Sequence, residues 1–502
     1  MALEGTYPFH GGGVSTWAHI LCEKISGYNF ELYSVNAVFE KESKYNLTEA
    51  VSGLTQVPMW YALEPREIIR FNDTYCDFVV KKELDLSNAI ETDFIPLFIR
   101  LINQIYSESI NVAEFESVII EMWYFFQKND YKLSMKDPLV WETFKEEVLK
   151  YIEFHKIQRA TLLDLTYAMR WIYHFLMPIS IDFPRTTIIH LALSGFVAIP
   201  AIIQKHLYNT PILLTEHGVY IRERLLAISQ SDSSYFLKDF LIRFSECATR
   251  LAYNKSDIIM SVNKFNFKWE RMYGARDEQL RVVYNGIDHM RFIPREKPAE
   301  LKGIPTVVAM ARIFELKDIL TMVKSCKVVK DVFPNIQYRI YGENNAVPEY
   351  TLKCEKLIEE LDLKENFLLL GPHKFPEKVF CEGDMSILTS ISEGFPYTII
   401  ESMSCAIPVV STDVGGVAEA LNEECGILCK PKDANDIGQA VIKLLQNEEL
   451  RLQMAANSRK RVEDFFTIDK FIKQYEEIYD ELSIKSSYVE QNVTSFSNKI
   501  KR

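Results

Sequence analysis

Four short segments hold residues whose types and spacing could do chemistry. The richest is Ser392-Glu393-Gly394-Phe395-Pro396-Tyr397-Thr398-Ile399-Ile400-Glu401. It follows an apolar run, Met385 to Thr389, that reads as a strand, and it opens a helical run. Pro396 suits the first helical turn, where its missing N–H costs nothing. The free N–H groups there and the helix dipole make an anion site. Glu393 stands just before that turn and Glu401 about two turns inside. One carboxylate can then meet a sugar near a phosphate and the other a ribose diol. Two solvated glutamates on an ordinary helix would show the same spacing, so the pair alone does not decide.

The second segment is Ala311-Arg312-Ile313-Phe314-Glu315-Leu316-Lys317-Asp318, after another strand-like run. Arg312 and Lys317 at a strand-to-helix junction could neutralise a diphosphate, Arg with a fork of donors and Lys as a point charge. The third is Gly11-Gly12-Gly13-Val14-Ser15, where Gly12 and Gly13 let a backbone approach a ligand closely. It is not the dinucleotide fingerprint, because no glycine stands three residues after Gly13. The fourth is Thr215-Glu216-His217-Gly218, which places His217 at a strand end; a structural hydrogen-bonding role competes with a catalytic one. His190 carries the same ambiguity, with the structural role favoured. The sequence has no Asp-x-Asp metal-diphosphate clasp, no P-loop, no Gly-x-Ser-x-Gly elbow and no His-Glu-x-x-His. No metal site is expected, and phosphate charge falls to Arg312, Lys317 and a helix N-terminus.

These residues need elements to position them, and the composition allows them. The chain has 502 residues, 48% hydrophobic and 25% charged, which fits several globular domain-equivalents and excludes disordered or collagen-like classes. A net charge of −12 argues against nucleic acid as a partner. The nine scattered cysteines read as reduced thiols. No basic start and apolar run opens the sequence, so a cytoplasmic protein is expected. Thr186 to Ile203 is free of Asp, Glu, Lys and Arg, but Ser194, Gly195 and Pro200 divide it into strand, turn and helix.

Strand and helix signals alternate from the start: a strand ending near Thr6, the glycine turn, a helix from Val14 to Ser26, and a strand from Phe30 to Val38. A helical insertion occupies about 84–178. The α/β pattern resumes at Thr187 and closes near Tyr284. Phe292 to Pro305, with three prolines, reads as a linker and hinge. Candidate strands of a second half are Thr306 to Met310, Gln337 to Tyr341, Phe367 to Leu370, Met385 to Thr389 and Pro408 to Ser411. The expected fold class is α/β, with two doubly wound Rossmann-like domains facing across a cleft. Their bounds are 1–295 and 303–466. A helix over 467–484 is expected to pack back on the first domain, and 485–502 to form a mobile tail.

Taken together these segments resemble glycosyltransferase family 4, of the GT-B fold. The matching positions are Glu393 and Glu401, Arg312 and Lys317, Gly12-Gly13, and Asn285-Gly286-Ile287-Asp288 ahead of the linker. Leu3-Glu4-Gly5-Thr6-Tyr7-Pro8-Phe9, Thr215 to Tyr220 and the insertion look like the PelF-type exopolysaccharide glycosyltransferases. The resemblance covers about residues 1–80 and 185–484.

It implies retaining, metal-independent transfer of a sugar from a UDP-sugar to a growing glycan, with no cofactor beyond that co-substrate. Arg312 and Lys317 would stabilise the leaving diphosphate, helped by N–H groups at Gly394, Phe395 and Tyr397 around Pro396. Glu393 would hold the donor sugar, Glu401 the ribose, and His217 would contact the sugar from the first domain. Loop position puts the uracil near Tyr341-Gly342 and Gly371 to Phe375. Expected partners are the glycan acceptor and membrane components of a polysaccharide synthesis and export complex, which would hold the protein at the inner face of the membrane. Two other readings remain open: a UDP-sugar epimerase on the same fold, and a non-catalytic nucleotide-sugar-binding scaffold.

Overall fold

The computed structural model describes residues 1–60, 76, 79–80, 86–155 and 160–500, with side chains as far as residue 484. It divides into two compact units, Met1–Ser261 with Phe267–Arg281 and Tyr475–Arg502, and Val262–Asn266 with Val282–Gln474.

The first unit is built on β1 (Ala2–Glu4), β2 (Phe30–Asn36), β3 (Val51–Pro58), β4 (Ile189–Leu191), β5 (Ile212–Glu216), β6 (Ile258–Ser261) and β7 (Leu280–Val282). Their order across the sheet is β3-β2-β1-β4-β5-β6-β7. The pairings from β3 through to β6 are parallel. Such strands are covered on both faces, so they read as unbroken apolar runs; β5 is buried along its whole length. The uncharged stretch Thr186 to Ile203 supplies β4, a turn and the start of the helix Ala198–Tyr208. No helix among the described residues is long and apolar enough to cross a membrane.

The insertion runs between β3 and β4, chiefly as helices Ile95–Tyr106, Val112–Lys128, Pro138–His155 and Leu162–Leu176. Its expected start at residue 84 lies outside the described residues. It is not a separate body. Phe98, Phe115, Phe126 and Phe144 share one buried cluster with Tyr33 of β2, Leu191 of β4 and Leu214 of β5. Its last long helix opens on a reciprocal cap: Thr161 Oγ1 accepts from Asp164 N (3.1 Å) while Asp164 Oδ2 accepts from Thr161 N (2.9 Å).

The second unit carries β8 (Thr306–Met310), β9 (Gln337–Tyr341), β10 (Phe367–Gly371), β11 (Met385–Leu388), β12 (Val409–Thr412) and β13 (Gly426–Cys429). All pairings are parallel, in the order β10-β9-β8-β11-β12-β13. Five of these strands fall where the sequence places them. The sixth, β13, is only four residues long and was not expected.

Three boundaries differ from expectation. The chain passes between units near Val282, not at 295–303. The segment read as a linker is packed on the second unit: Phe292 is buried with Phe380 and Leu388, and Lys297 Nζ donates to Asp384 Oδ2 (2.8 Å). The three prolines therefore mark an irregular but anchored path. The last helix, Ile468–Ile500, runs on through the segment expected as a mobile tail; no Gly or Pro interrupts it. From Tyr475 onward it belongs to the first unit. There Trp17 Nε1 donates to Tyr475 Oη (3.1 Å) and Tyr28 Oη to Asp480 (2.6 Å).

Candidate active site

Open parallel sheets bind ligands beyond the carboxyl ends of their strands, where the strand order reverses. In the second unit that place lies between β8 and β11. The chain leaving β8 is Ala311–Lys317, and the chain leaving β11 is Thr389–Pro396. Backbone groups tie the two loops together. Ile391 N donates to Leu316 O (2.8 Å), and Thr389 Oγ1 donates to Lys317 O (2.8 Å) and Asp318 O (3.1 Å).

This clamp brings Lys317 Nζ to 2.5 Å from Glu393 Oε1, and the Ser390 hydroxyl donates to the same oxygen at 2.5 Å. The Lys317 and Glu393 side chains are only 21% and 12% exposed. A half-buried ion pair of this kind is held in one geometry by its supports. Oε1 takes both donors, and Oε2 has no hydrogen-bond partner among the described residues. Arg312 is exposed, with its guanidinium 5.2 Å from the Phe314 ring centre and no ion-pair partner among the described residues. One cation is thus fixed and the other is free to clamp an anion.

Behind Glu393 the loop is backed by glycines. A Cβ on Gly415, whose φ is +58°, would fall 1.8 Å from Glu393 O, and one on Gly416 would fall 2.4 Å from Gly394 O. Gly416 N and Asn263 Nδ2 both donate to Gly394 O (3.0 and 2.9 Å), and Asn285 Nδ2 donates to Phe395 O (2.9 Å). These bonds hold Gly394–Pro396 as a loop, so the helix is Tyr397–Ser404 and Pro396 is its extended cap, one place earlier than expected. The buried Thr398 hydroxyl at that helix start has no hydrogen-bond partner among the described residues. Glu401 lies inside the helix, where burial pushes its carboxyl up to about 7 against the pull of Arg291.

The loops guessed for a base do adjoin this site. Gly342 N donates to Gly371 O (3.0 Å), and Ala311 N to Tyr341 O (2.8 Å). A Cβ on Gly342 would fall 1.9 Å from Ala311 O, so only glycine permits that approach. Gly371 itself ends β10 at φ +73°. The Tyr341 hydroxyl is already engaged: it donates to Glu382 (2.6 Å) and accepts from Arg339 (3.1 Å), and burial pushes it up to about 12.

In the first unit Gly12 caps the helix Gly13–Lys24, and both glycines are exposed. Trp17 of that helix meets His217 edge-on, with ring centres 4.5 Å apart. His217 Nε2 is buried without a partner among the described residues, and burial lowers the imidazole to about 3, so it is neutral. His190 is structural: Nδ1 pairs with Tyr479 Oη (2.6 Å) and Nε2 with Thr215 Oγ1 (2.8 Å).

Sequence reasoning missed the residues that hold these loops. Glu216, next to His217, accepts from Ser194 N (3.2 Å), Tyr220 N (3.2 Å) and Tyr253 Oη (3.1 Å), and burial raises it to about 8. Glu4 accepts from Val197 N at 2.6 Å. It missed Asn263, Gly415 and Gly416 as well. The glycine pair had a visible signal, since it follows the strand run Val409–Thr412.

Two family descriptions match the chain. Residues 1–278 match Domain of unknown function (DUF3492), and residues 291–461 match Glycosyl transferases group 1. The chain belongs to the DUF3492 family, and its second half carries a match to the glycosyl transferases group 1 family. Among its relatives, N-acetyl-alpha-D-glucosaminyl L-malate synthase of Bacillus anthracis is 25% identical over 233 residues, 46% of this chain and 61% of that protein. The chain thus spans less than two thirds of that relative. Sucrose-phosphate synthase from Thermosynechococcus elongatus has a similar structure, with a TM-score of 0.58 and 15% identity over 96% of this chain and 98% of that one. HepE of Anabaena, in complex with UDP, gives a TM-score of 0.51 and 16% identity over 66% of this chain and 88% of that one. The fold is GT-B.

Proposed function

We propose that the enzyme is a retaining, metal-independent glycosyltransferase that moves a sugar from a UDP-sugar to a growing glycan, in exopolysaccharide biosynthesis of the PelF type. The observation that carries this reading is the Lys317–Glu393 ion pair at the strand-order reversal, with Arg312 free beside it. It supplies cationic charge for a leaving diphosphate and a carboxylate for sugar hydroxyls in one place. UDP bound to the similarly folded HepE supports a UDP-linked donor.

In this mechanism the sugar C1–O bond to the diphosphate breaks through an oxocarbenium-like state. Arg312 and Lys317 stabilise the charge that develops on the leaving phosphate, the electrostatic kind of help that often dominates catalysis. The acceptor hydroxyl bonds to C1 from the same face, and its proton passes to the departing phosphate oxygen. Glu393 holds donor hydroxyls, and Glu401 accepts from the ribose diol. Tyr341 acts by packing, since its hydroxyl is taken. The charge that a metal would balance is carried by Arg312, Lys317 and the Tyr397–Ser404 helix start. Membrane components of an export complex are the partners this role calls for.

The test is calorimetric titration with UDP, GDP and ADP in chelator, beside Arg312→Ala. Product from a UDP-sugar is then examined for the anomeric proton coupling. UDP-selective binding that weakens at least tenfold in the variant, with an α-linked product from an α-donor, is expected. Binding that needs metal, or a β-linked product, would refute the mechanism.

A further inference from the structure

The first unit has a strand-order reversal of its own. In the order β3-β2-β1-β4-β5-β6-β7 the direction changes between β1 and β4, the place where an open parallel sheet takes a ligand. Three adjacent strands deliver side chains to that end. β1 ends in Glu4, the loop 192–197 leaves β4, and β5 ends in Glu216 ahead of the helix Tyr220–Gln230. The loop is pinned from both sides. Val197 N donates to Glu4 Oε1 (2.6 Å) and Ser194 N to Glu216 Oε1 (3.2 Å), while Tyr220 N donates to Glu216 Oε2 (3.2 Å). Gly195 makes room for this: a Cβ there would fall 2.8 and 3.0 Å from the two Glu4 oxygens, so a larger residue would push the carboxyl aside.

Beside this frame stands a cation that the fold leaves unbonded. Arg224 lies one turn into the helix, and its Nε is buried with no hydrogen-bond partner among the described residues. Its charge acts on Glu4 and on the Tyr220 hydroxyl without a hydrogen bond to either. The Tyr220 hydroxyl stands in the field of Glu4, Arg224 and Glu216 and bonds none of them. Glu4, Tyr220 and Arg224 are each half-buried, so a ligand can reach them. Buried polar groups are as a rule hydrogen-bonded, and an exception calls for a partner. The chemistry narrows that partner. Arg224 is faced by the Glu4 carboxyl, so the set does not select an anion. No group of three or more His, Cys, Asp or Glu among the described residues could hold a metal ion. A guanidinium that only donates, a carboxyl that accepts and a phenol that does both suit an array of hydroxyls.

We propose that the carboxyl end of β1, β4 and β5 is a sugar site, where Glu4, Tyr220 and Arg224 bond saccharide hydroxyls, and that it holds the acceptor glycan of the transfer proposed above. The site lies wholly in the first unit. Its acceptor role rests on that transfer; its binding of sugar does not.

The experiment is titration of the full chain with maltotetraose, cellotetraose and chitotetraose, read by saturation-transfer NMR and calorimetry. Inorganic pyrophosphate is the anionic control probe, and UDP is titrated in parallel. One or more tetrasaccharides are expected to bind. Arg224→Gln and Glu4→Gln should each weaken that binding about tenfold, the loss of one hydrogen bond to a charged group, with UDP affinity unchanged. Arg224→Lys should restore part of it. Tyr220→Phe, which removes only a hydroxyl, should weaken it several-fold and serves if the other variants lower the melting temperature. With a UDP-sugar and the tetrasaccharide that binds, the ratio of transfer to donor hydrolysis should fall in each variant. No tetrasaccharide binding at millimolar concentration would overturn the proposal. So would binding that all three positions leave within about twofold, or pyrophosphate binding in place of the sugars. Sugar binding lost in Arg224→Gln, in a chain that binds no UDP, would uphold the sugar site and refute the transfer instead.

Discussion

Gly415→Ala should disable the enzyme although Gly415 has no side chain to offer a ligand. The new Cβ would stand 1.8 Å from Glu393 O, and real Cβ atoms stay beyond 3.0 Å. The neighbour is backbone, so no rotamer change relieves the clash. Either the Gly415 turn or the Glu393 loop must move by about 1 Å, and a misplacement of that size costs about 10²-fold in rate. The variant also carries the strain of an alanine at φ +58°, about 1–2 kcal/mol. Gly303→Ala separates the two effects, because Gly303 has φ +82° with nothing within 4 Å of its ideal Cβ, in the same unit. It should lose about 1–2 kcal/mol of stability and keep its activity. The assay pairs thermal unfolding with initial rates on a UDP-sugar and with UDP titration. Gly415→Ala is expected to melt lower than Gly303→Ala, to lose about 10²-fold in kcat/KM and to bind UDP more weakly. Rates and UDP affinity within about twofold of Gly303→Ala would refute the claim that the glycine pair positions Glu393.

Four further outcomes follow. Lys317→Ala should lower kcat by about 10²-fold or more, because it removes leaving-group charge and the partner of Glu393, with thermal unfolding confirming that the unit stays folded. Glu216 is protonated in the fold up to about 8 but only to about 4.3 in an unfolded chain, so its stabilisation is complete below about 4.3 and declines, by up to about 1.4 kcal/mol per pH unit, until about 8. Glu216→Gln should flatten that slope in melts between pH 5 and 8. Tyr479→Phe strips His190 Nδ1 of its 2.6 Å partner and should cost about 1–3 kcal/mol in denaturant unfolding. Glu401 sits near 7, so hydrogen bonds from a ribose should favour its carboxylate and release protons; calorimetry at pH 6.5 should then give a binding enthalpy that depends on the buffer, and a buffer-independent value would count against the ribose role.

The sequence exposes the strands of the second unit because each is a short apolar run between turn residues. It exposes the Arg312, Lys317 and Glu393 loops because charged residues at strand ends stand out. β3 is harder to see, since Val51–Pro58 includes Ser52, Gly53 and Gln56 and is only partly buried. The anchored path of Phe292 to Pro305 is invisible to composition: prolines report irregular backbone, and only contacts such as Phe292 on Phe380 show whether it is held. The meeting of the Cys381 and Cys405 thiols, far apart in the chain, has no sequence signal either. Nor do the supports of the site. Asn263 and Asn285 act through backbone carbonyls, which any sequence possesses, so their choice of Gly394 and Phe395 depends on the folded path.

The two glutamates that look alike in the sequence are made different by their surroundings. Glu393 lies in the loop before the helix, where Lys317 and the Ser390 hydroxyl both bond one of its oxygens. Both bonds fix the carboxylate through that one oxygen. Glu401, inside the helix, has no such donor among the described residues; burial raises it to about 7 against the pull of Arg291. A retaining glycosidase also sets two carboxyl groups apart in this sense, but its nucleophile must be free to attack carbon. Attack by Glu393 would break its pairing with Lys317 as the carboxylate charge moves into the new bond, and leave a half-buried lysine uncompensated. The pairing therefore favours, in the proposed mechanism, a Glu393 that holds hydroxyls rather than one that attacks carbon, beside a lysine placed for the leaving phosphate.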